Sequence, residues 1–242
     1  RTARRHELGL RHVCGRYASY RSATDLAEAY EVDAITDEAL AVTPSYNVAP
    51  TLPVRIVLDR TPTRRELHAA RWGLVPAWAK DLRLGHKMIN ARRESLDDRP
   101  AFRVSLRRRR CVVPADGYYE WQREGGTRRP YYVHDGGDAL LALAGLYAFW
   151  RNPERAEDDP DRWVLSTAII TTAATGALAR LHDRVPVALG PDHVARWLDP
   201  AMTSTREALD LLEAPPPRLR FHAVSQRVNG TTEDDAGLID PV

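Results

Sequence analysis

The sequence predicts an α+β fold: a single compact, sheet-dominated domain with a barrel-like β core and short flanking helices. Three observations point there. Strand signal far exceeds helix signal. The helical segments are short and do not alternate with strands in a regular βαβ rhythm. Across 242 residues the chain has no internal repeat and no domain-scale linker.

The first element is a helix. Ser22 and Asp25 stand three residues apart ahead of an apolar-periodic run, the pattern of a capping box. Alternating or β-branched runs at 54–58, 111–113, 131–134, 140–149, 163–171, 185–189 and 221–228 read as strands. Further helices are expected at 175–182, at 191–198 with Pro191 in the first turn, and at 204–213 before Pro215-Pro216-Pro217. The acid-rich stretch 151–162 reads as a solvated loop, as does the arginine run 107–110 just ahead of a strand.

Composition narrows the function classes. Hydrophobic residues make up 43% and charged residues 28%, ordinary for a globular chain. No apolar run approaches the roughly 20 residues needed to span a bilayer, so no membrane role is expected. Residues 1–13 are basic but lack the apolar stretch of a secretory signal, and the expected compartment is cytoplasmic. Two cysteines, Cys14 and Cys111, are too few for a disulfide framework, and neither Cys-x-x-Cys nor His-x-x-x-His spacing occurs. No metal and no cofactor are expected.

The formal charge of +2 comes from 35 basic and 33 acidic residues. Residues 1–13 hold four arginines and one glutamate, which leaves 31 basic and 32 acidic residues in the remainder. Any affinity for nucleic acid must therefore come from local patches. Only Lys80 and Lys87 are lysines, a bias that GC-rich coding explains as well as selection for guanidinium chemistry.

Six short segments stand out: CGRYA at 14–18, YNVAP at 46–50, WGLVPAW at 72–78, INARRE at 89–94, DGYYEW at 116–121 and LHDRVP at 181–186. In this order and at these separations they resemble the SOS response-associated peptidase family, the abasic-site processing proteins, over nearly all of residues 14–242. The resemblance implies a catalytic domain at 14–242 preceded by an extension at 1–13 that is absent or removed in the active protein. It also implies a partner: single-stranded DNA containing abasic sites, including sites at single/double-strand junctions. The protein would work as a monomer, associated with the nucleoid during DNA damage.

The implied chemistry is covalent capture by Cys14 as the amino-terminal residue. An α-amine has a pKa of about 7.7–8.0 against about 10.4 for lysine, so near neutral pH its free-base fraction is far larger. It can form a Schiff base with the ring-opened sugar aldehyde. The β-thiol then closes a five-membered thiazolidine, favoured by intramolecularity. An internal Cys14 offers only its thiol, because its nitrogen is a non-basic amide. Initiation at Val13, where the family pattern has methionine, or removal of residues 1–13 by self-processing would expose the amine; the first is the favoured reading.

By resemblance Asn90 orients the amine and the sugar. Glu120 is the general acid/base, in a strand setting where partial burial would suit proton transfer. His182 protonates the ring oxygen so that the hemiacetal opens. DNA contacts are expected from Arg16, Asn47, Pro50, Trp78, Arg92 and Thr171. Taken singly, these residues have ordinary readings: a buried thiol, a capping asparagine, an exposed strand acid, a surface histidine, a core tryptophan. Asp183 is expected to orient His182 or to pair with Arg184, and Arg92 and Arg93 have Glu94 as a possible partner. A thiol peptidase using Cys14 with His182 and a non-covalent single-strand binder are the rival functions.

Overall fold

The structure, a computed structural model, describes residues 15–242. The expectations placed on Cys14 and on residues 1–13 lie outside the described residues.

In chain order the elements are β1 (Tyr17–Ser19), α1 (Ala23–Ala29), β2 (Ala34–Ile35), α2 (Asp37–Ala41), β3 (Ser45–Val48), β4 (Pro53–Thr61), β5 (Arg64–Trp72), β6 (Asn90–Arg92) and α3 (Pro100–Arg108). There follow β7 (Arg110–Ala115), β8 (Gly117–Glu124), β9 (Thr127–His134), β10 (Leu141–Arg151), β11 (Trp163–Ala173), β12 (Arg184–Pro186), β13 (Ala188–Leu189), α4 (Pro191–Leu198), α5 (Thr205–Leu211) and β14 (Arg220–Ala223).

Five strands close a barrel. β4 pairs antiparallel with β5 and with β7, β7 with β10, and β10 with β11, and a parallel pairing of β11 with β5 completes the ring. Alternate residues explain the closure, because successive side chains on a strand face opposite ways. Val54, Ile56, Leu58, Trp72, Cys111, Val113, Leu143 and Ile169 form one buried cluster, the barrel interior. Their neighbours Val57, Leu67, Val112, Ala144 and Ile170 form another with Leu26, Phe102, Leu106 and Trp197 from the helices outside. Strands covered on both faces read as continuous apolar runs, which is why β10 and β11 are plain in the sequence. Gly145 on β10 allows the close packing inside: a Cβ there would lie 2.9 Å from Cys111 Sγ.

A second sheet, in the order β14-β9-β8-β1-β3, lies against the barrel. Its inner residues Tyr17, Tyr118 and Val133 join the barrel interior, while Tyr119 and Tyr132 face away onto Val224, Val228 and Leu238 of the C-terminal segment. Beyond the barrel, β6 and β12 flank the end of β11 from opposite sides, so that Thr171 has Arg92 on one side and Pro186 on the other.

The capping box is present, with Ser22 and Asp25 exchanging side-chain and backbone hydrogen bonds. Helices also form where Pro191 and Ser204 start them. Three expectations are corrected. The segment 175–182 forms only a single turn, Leu178–Arg180, because Ala174 N–H donates to the Asp183 carbonyl and Gly176 takes φ +58°, folding the segment into the β11–β12 connection. The strand expected at 221–228 stops at Ala223, where Ser225 caps a turn over Gln226–Asn229. The arginine run 107–110 is not a solvated loop. Arg107 and Arg108 end α3, and Arg110 is buried, donating to the carbonyls of Leu106, Trp197, Asp199 and Met202 at 2.7–2.8 Å.

Candidate active site

Gly15, Arg16, Glu120, Trp121 and His182 line one cleft of about 580 Å³. β1 runs antiparallel to β8, with Tyr17 opposite Tyr118, and Tyr119 N–H donates to the Arg16 carbonyl at 2.9 Å. That pairing lays the chain from Gly15 alongside the strand that carries Glu120. On β8 the alternation sends Tyr119 outward, where its hydroxyl donates to the Tyr46 carbonyl at 2.7 Å. Glu120 belongs to the opposite face and is 3% exposed. One of its carboxylate oxygens accepts from Trp121 N–H at 3.2 Å.

Trp121 is fixed at both edge and face. Its indole N–H donates to Asn229 Oδ1 at 2.7 Å, and the Arg128 guanidinium lies 5.3 Å from its ring centroid. Arg123, Arg128 and Arg180 complete the rim, so the cleft holds four arginines against Glu120 and Asp183.

His182 stands on the β11–β12 connection. Its Nδ1 lies 2.7 Å from Asp183 Oδ1 and 3.1 Å from the Arg184 N–H. The first contact needs a proton on Nδ1 and the second a lone pair, so they are alternatives set by which ring nitrogen carries the proton. Arg184 is engaged elsewhere: it grips Glu94 with two bonds of 2.9 Å and donates to the Thr171 carbonyl at 2.7 Å. Arg93 pairs with Glu213 at 2.9 Å. Burial pushes the Glu94 carboxyl up, but the hydrogen bonds and charge of Arg184, with Arg93, outweigh this and hold it below its ordinary value.

The remaining residues expected at the site divide between its margin and its supports. Asn90, half-buried, opens β6 beside Ile169, and Arg92 is exposed at its end beside Thr171. Thr171 is 1% exposed, with its hydroxyl 3.3 Å from an Arg184 nitrogen. Asn47 is 4% exposed. Its Oδ1 accepts from Arg16 at 2.6 Å, and its amide donates to the carbonyls of Gly230 and Glu233 at 2.9 and 2.7 Å. Arg16 also donates to the carbonyls of Val228 and Gly230, and burial lowers its pKa from the ordinary value. Pro50 is half-buried beyond β3, Trp72 is core, and Trp78 is 58% exposed.

Sequence reasoning did not single out Arg123, Arg128, Arg180 or Asn229. Arg123 and Arg128 carry a readable signal: they bracket Gly125-Gly126, a turn pair that sets them opposite each other in a hairpin. Asn229 carries none, since its partner Trp121 is 108 residues away.

The family described as SOS response associated peptidase (SRAP) matches residues 13–231. Over 230 residues the chain is 36% identical to the abasic site processing protein YoaM of Bacillus subtilis, covering 94% of this chain and 98% of that protein. It is 32% identical over 217 residues to the abasic site processing protein HMCES of Xenopus tropicalis, covering 78% of this chain and 63% of that one. Among solved structures, a Bacteroides thetaiotaomicron protein superposes with a TM-score of 0.81 at 22% identity, over 95% of this chain and all of the other. That likeness shows a common fold. A phage-related protein of Bordetella bronchiseptica superposes with a TM-score of 0.65 at 29% identity, over 88% of this chain and 95% of its own. A family match over most of the length, with relatives above 30% identity along it, means that the chain belongs to the SOS response associated peptidase family.

Proposed function

We propose that the chain captures abasic sites in single-stranded DNA covalently, through the α-amine and thiol of Cys14, and so shields the lesion from strand cleavage. One observation carries this reading: Gly15 stands in the wall of a basic cleft together with Glu120 and His182. Cys14 is one peptide bond from that wall. The names of the relatives, abasic site processing proteins, support the choice of substrate.

His182 protonates the ring oxygen of the deoxyribose hemiacetal, which opens to the aldehyde. The Cys14 amine adds to the aldehyde carbon. Glu120, desolvated at the base of the cleft, relays the protons that turn the carbinolamine into an imine and one water. The thiol then adds to the imine carbon as its proton passes to nitrogen, closing the thiazolidine. With no imine left, the sugar loses its activation for β-elimination. Asn90 orients the amine, Arg16 and Arg92 meet phosphates, and Trp78 and Pro50 offer surfaces for unstacked bases. Asn47 and Thr171 act through the arginines they hold.

The test uses protein beginning at Cys14, incubated with single-stranded DNA carrying one abasic site. The expected product survives denaturation and has the mass of protein plus DNA less one water; no such adduct sinks the covalent reading. Cys14→Ser keeps the amine and should give only a transient imine with more strand cleavage. A stable crosslink from Cys14→Ser excludes the thiazolidine. Glu120→Gln and His182→Ala should slow crosslinking while single-strand affinity holds; a parallel loss of affinity would assign them to docking or fold.

A further inference from the structure

The β8–β9 hairpin places two arginines where sheet energetics disfavour them. Arg123 and Arg128 are directly opposite in register, and like charges in that arrangement destabilise a hairpin. Both are exposed and both line the cleft. Elsewhere the arginines are commonly held by carboxylates, as Arg21 is by Asp116, Arg65 by Asp59, Arg184 by Glu94 and Arg227 by Glu233. Among the described residues no ion pair involves Arg123, Arg128 or Arg180, whose carbonyl accepts from Gln122 of β8 at 3.3 Å. Arg128 is held in place: its guanidinium lies over Trp121, whose indole is pinned by Asn229. A guanidinium over an indole face still has N–H donors free for a second partner.

From this we infer that Arg123 and Arg128 together bind one backbone phosphate of the strand in the cleft, on the side of the lesion that runs along the β8–β9 hairpin. An anion between them converts a repulsive pair into a bidentate cradle. The inference rests on the reading of the cleft as a DNA site, and adds to it a phosphate contact carried by the hairpin tip. Its ligand is a phosphodiester of single-stranded DNA, read by charge and not by base.

The experiment measures binding of the 242-residue chain to a fluorescent oligothymidine without any abasic site, across a series of sodium chloride concentrations. Each phosphate contact contributes about 0.7 to the slope of log affinity against log salt for single strands. The Arg123→Gln/Arg128→Gln double variant should therefore bind more weakly, with a slope shallower by about 0.7. An oligomer with methylphosphonate linkages should bind wild type and variant alike. Inorganic phosphate at the same ionic strength should displace the strand from wild type better than chloride does and should lose that advantage in the double variant; equal competition by the two anions would overturn the inference. The folded state should survive, because the variant removes a like-charge pair together with the contact of Arg128 on Trp121, and its melting temperature should stay close to that of wild type. An unchanged slope in a folded variant overturns the inference, as does equal weakening on the uncharged backbone.

Protein beginning at Cys14 should need more abasic DNA to reach half its maximal crosslinking rate when it carries the double substitution, and an unchanged half-saturating concentration would overturn the inference. If wild type gives no adduct while the slopes differ, covalent capture falls and the phosphate contact stands. If the adduct forms and the slopes agree, the reverse holds.

Discussion

Arg184 clasps Glu94 through two parallel bonds of 2.9 Å, joining the segment after His182 to the segment after Asn90 across ninety residues of chain. The arginine side chain is 13% exposed and the glutamate 43%, so solvent screens part of the attraction and the pair contributes about 0.5–1 kcal/mol. The Glu94 carboxyl lies below its ordinary 4.5 in the folded protein: burial opposes the shift, and the hydrogen bonds and charge of Arg184 prevail. A depressed carboxylate pKa stabilises the fold above the unfolded value, and that contribution is lost as pH falls through the folded value. Glu94→Gln should accordingly lower the melting temperature by about 1–4 °C at pH 7, with the difference closing as pH falls through the carboxyl's depressed pKa, below 4.5. Thermal melts from pH 7 to pH 3 check this; a difference that stays constant to pH 3 would assign the loss to packing.

Asn47 joins Arg16 to the C-terminal segment at Gly230 and Glu233. Replacing it with alanine removes three hydrogen bonds from a residue that is 4% exposed, which costs about 2 kcal/mol. Arg16 keeps its bonds to the carbonyls of Val228 and Gly230 but loses the side chain that sets its angle. Asn47→Ala should therefore melt earlier and weaken single-strand binding, and Asn47→Ser should recover little of either. Binding and melting are measured on the same preparations. Single-strand affinity unchanged in a destabilised but folded Asn47→Ala would separate Asn47 from the DNA site.

Local chemistry decided what was legible in the sequence. The Ser22–Asp25 capping box and the proline-started α4 depend on a few adjacent residues, and β10 and β11 announce themselves by burial on both faces. β5 was hidden because Arg64, Arg65, Glu66 and His68 break its apolar alternation. All four pair laterally, Arg64 and His68 with Glu66 and Arg65 with Asp59, along the sheet. α3 and Arg110 were hidden in one arginine run whose members separate into helix end and buried anchor. At the cleft, Glu120 and His182 were legible from their motifs. The cross-chain supports were not: Asn229 under Trp121, and the anchoring of Asn47 to Gly230 and Glu233, exist only once the C-terminal segment docks.

Cys111 should be inert to thiol reagents in the folded protein. It is completely buried in the barrel, and burial pushes its thiol up to about 12 despite the contact with Thr167 at 3.5 Å. Only the thiolate is nucleophilic, and reactivity at pH 8 requires both a thiolate fraction and access. Iodoacetamide at pH 8 should leave Cys111 unmodified in native protein and alkylate it in guanidinium chloride, as read by peptide mass. Native labelling of Cys111 at a rate near that of a free peptide cysteine would contradict the packing of β7 against β10. This inertness makes native alkylation a selective probe of Cys14.

Trp78 separates surface from core among the tryptophans. Trp72 is fully buried and donates to the Ile89 carbonyl at 3.0 Å, whereas Trp78 is 58% exposed. An exposed side chain contributes little to folding, so Trp78→Ala should change stability by no more than about 0.5 kcal/mol. A tryptophan on which an unstacked base rests is worth about 1–3 kcal/mol of single-strand affinity, roughly a 5- to 150-fold loss on its removal. Trp78→Phe should retain part of that affinity, because the phenyl ring still offers a stacking face. Fluorescence titration with unmodified single-stranded DNA, paired with a thermal melt, tests both halves. A variant with lowered stability and intact affinity would return Trp78 to the hydrophobic scaffold around Ala79 and Trp150.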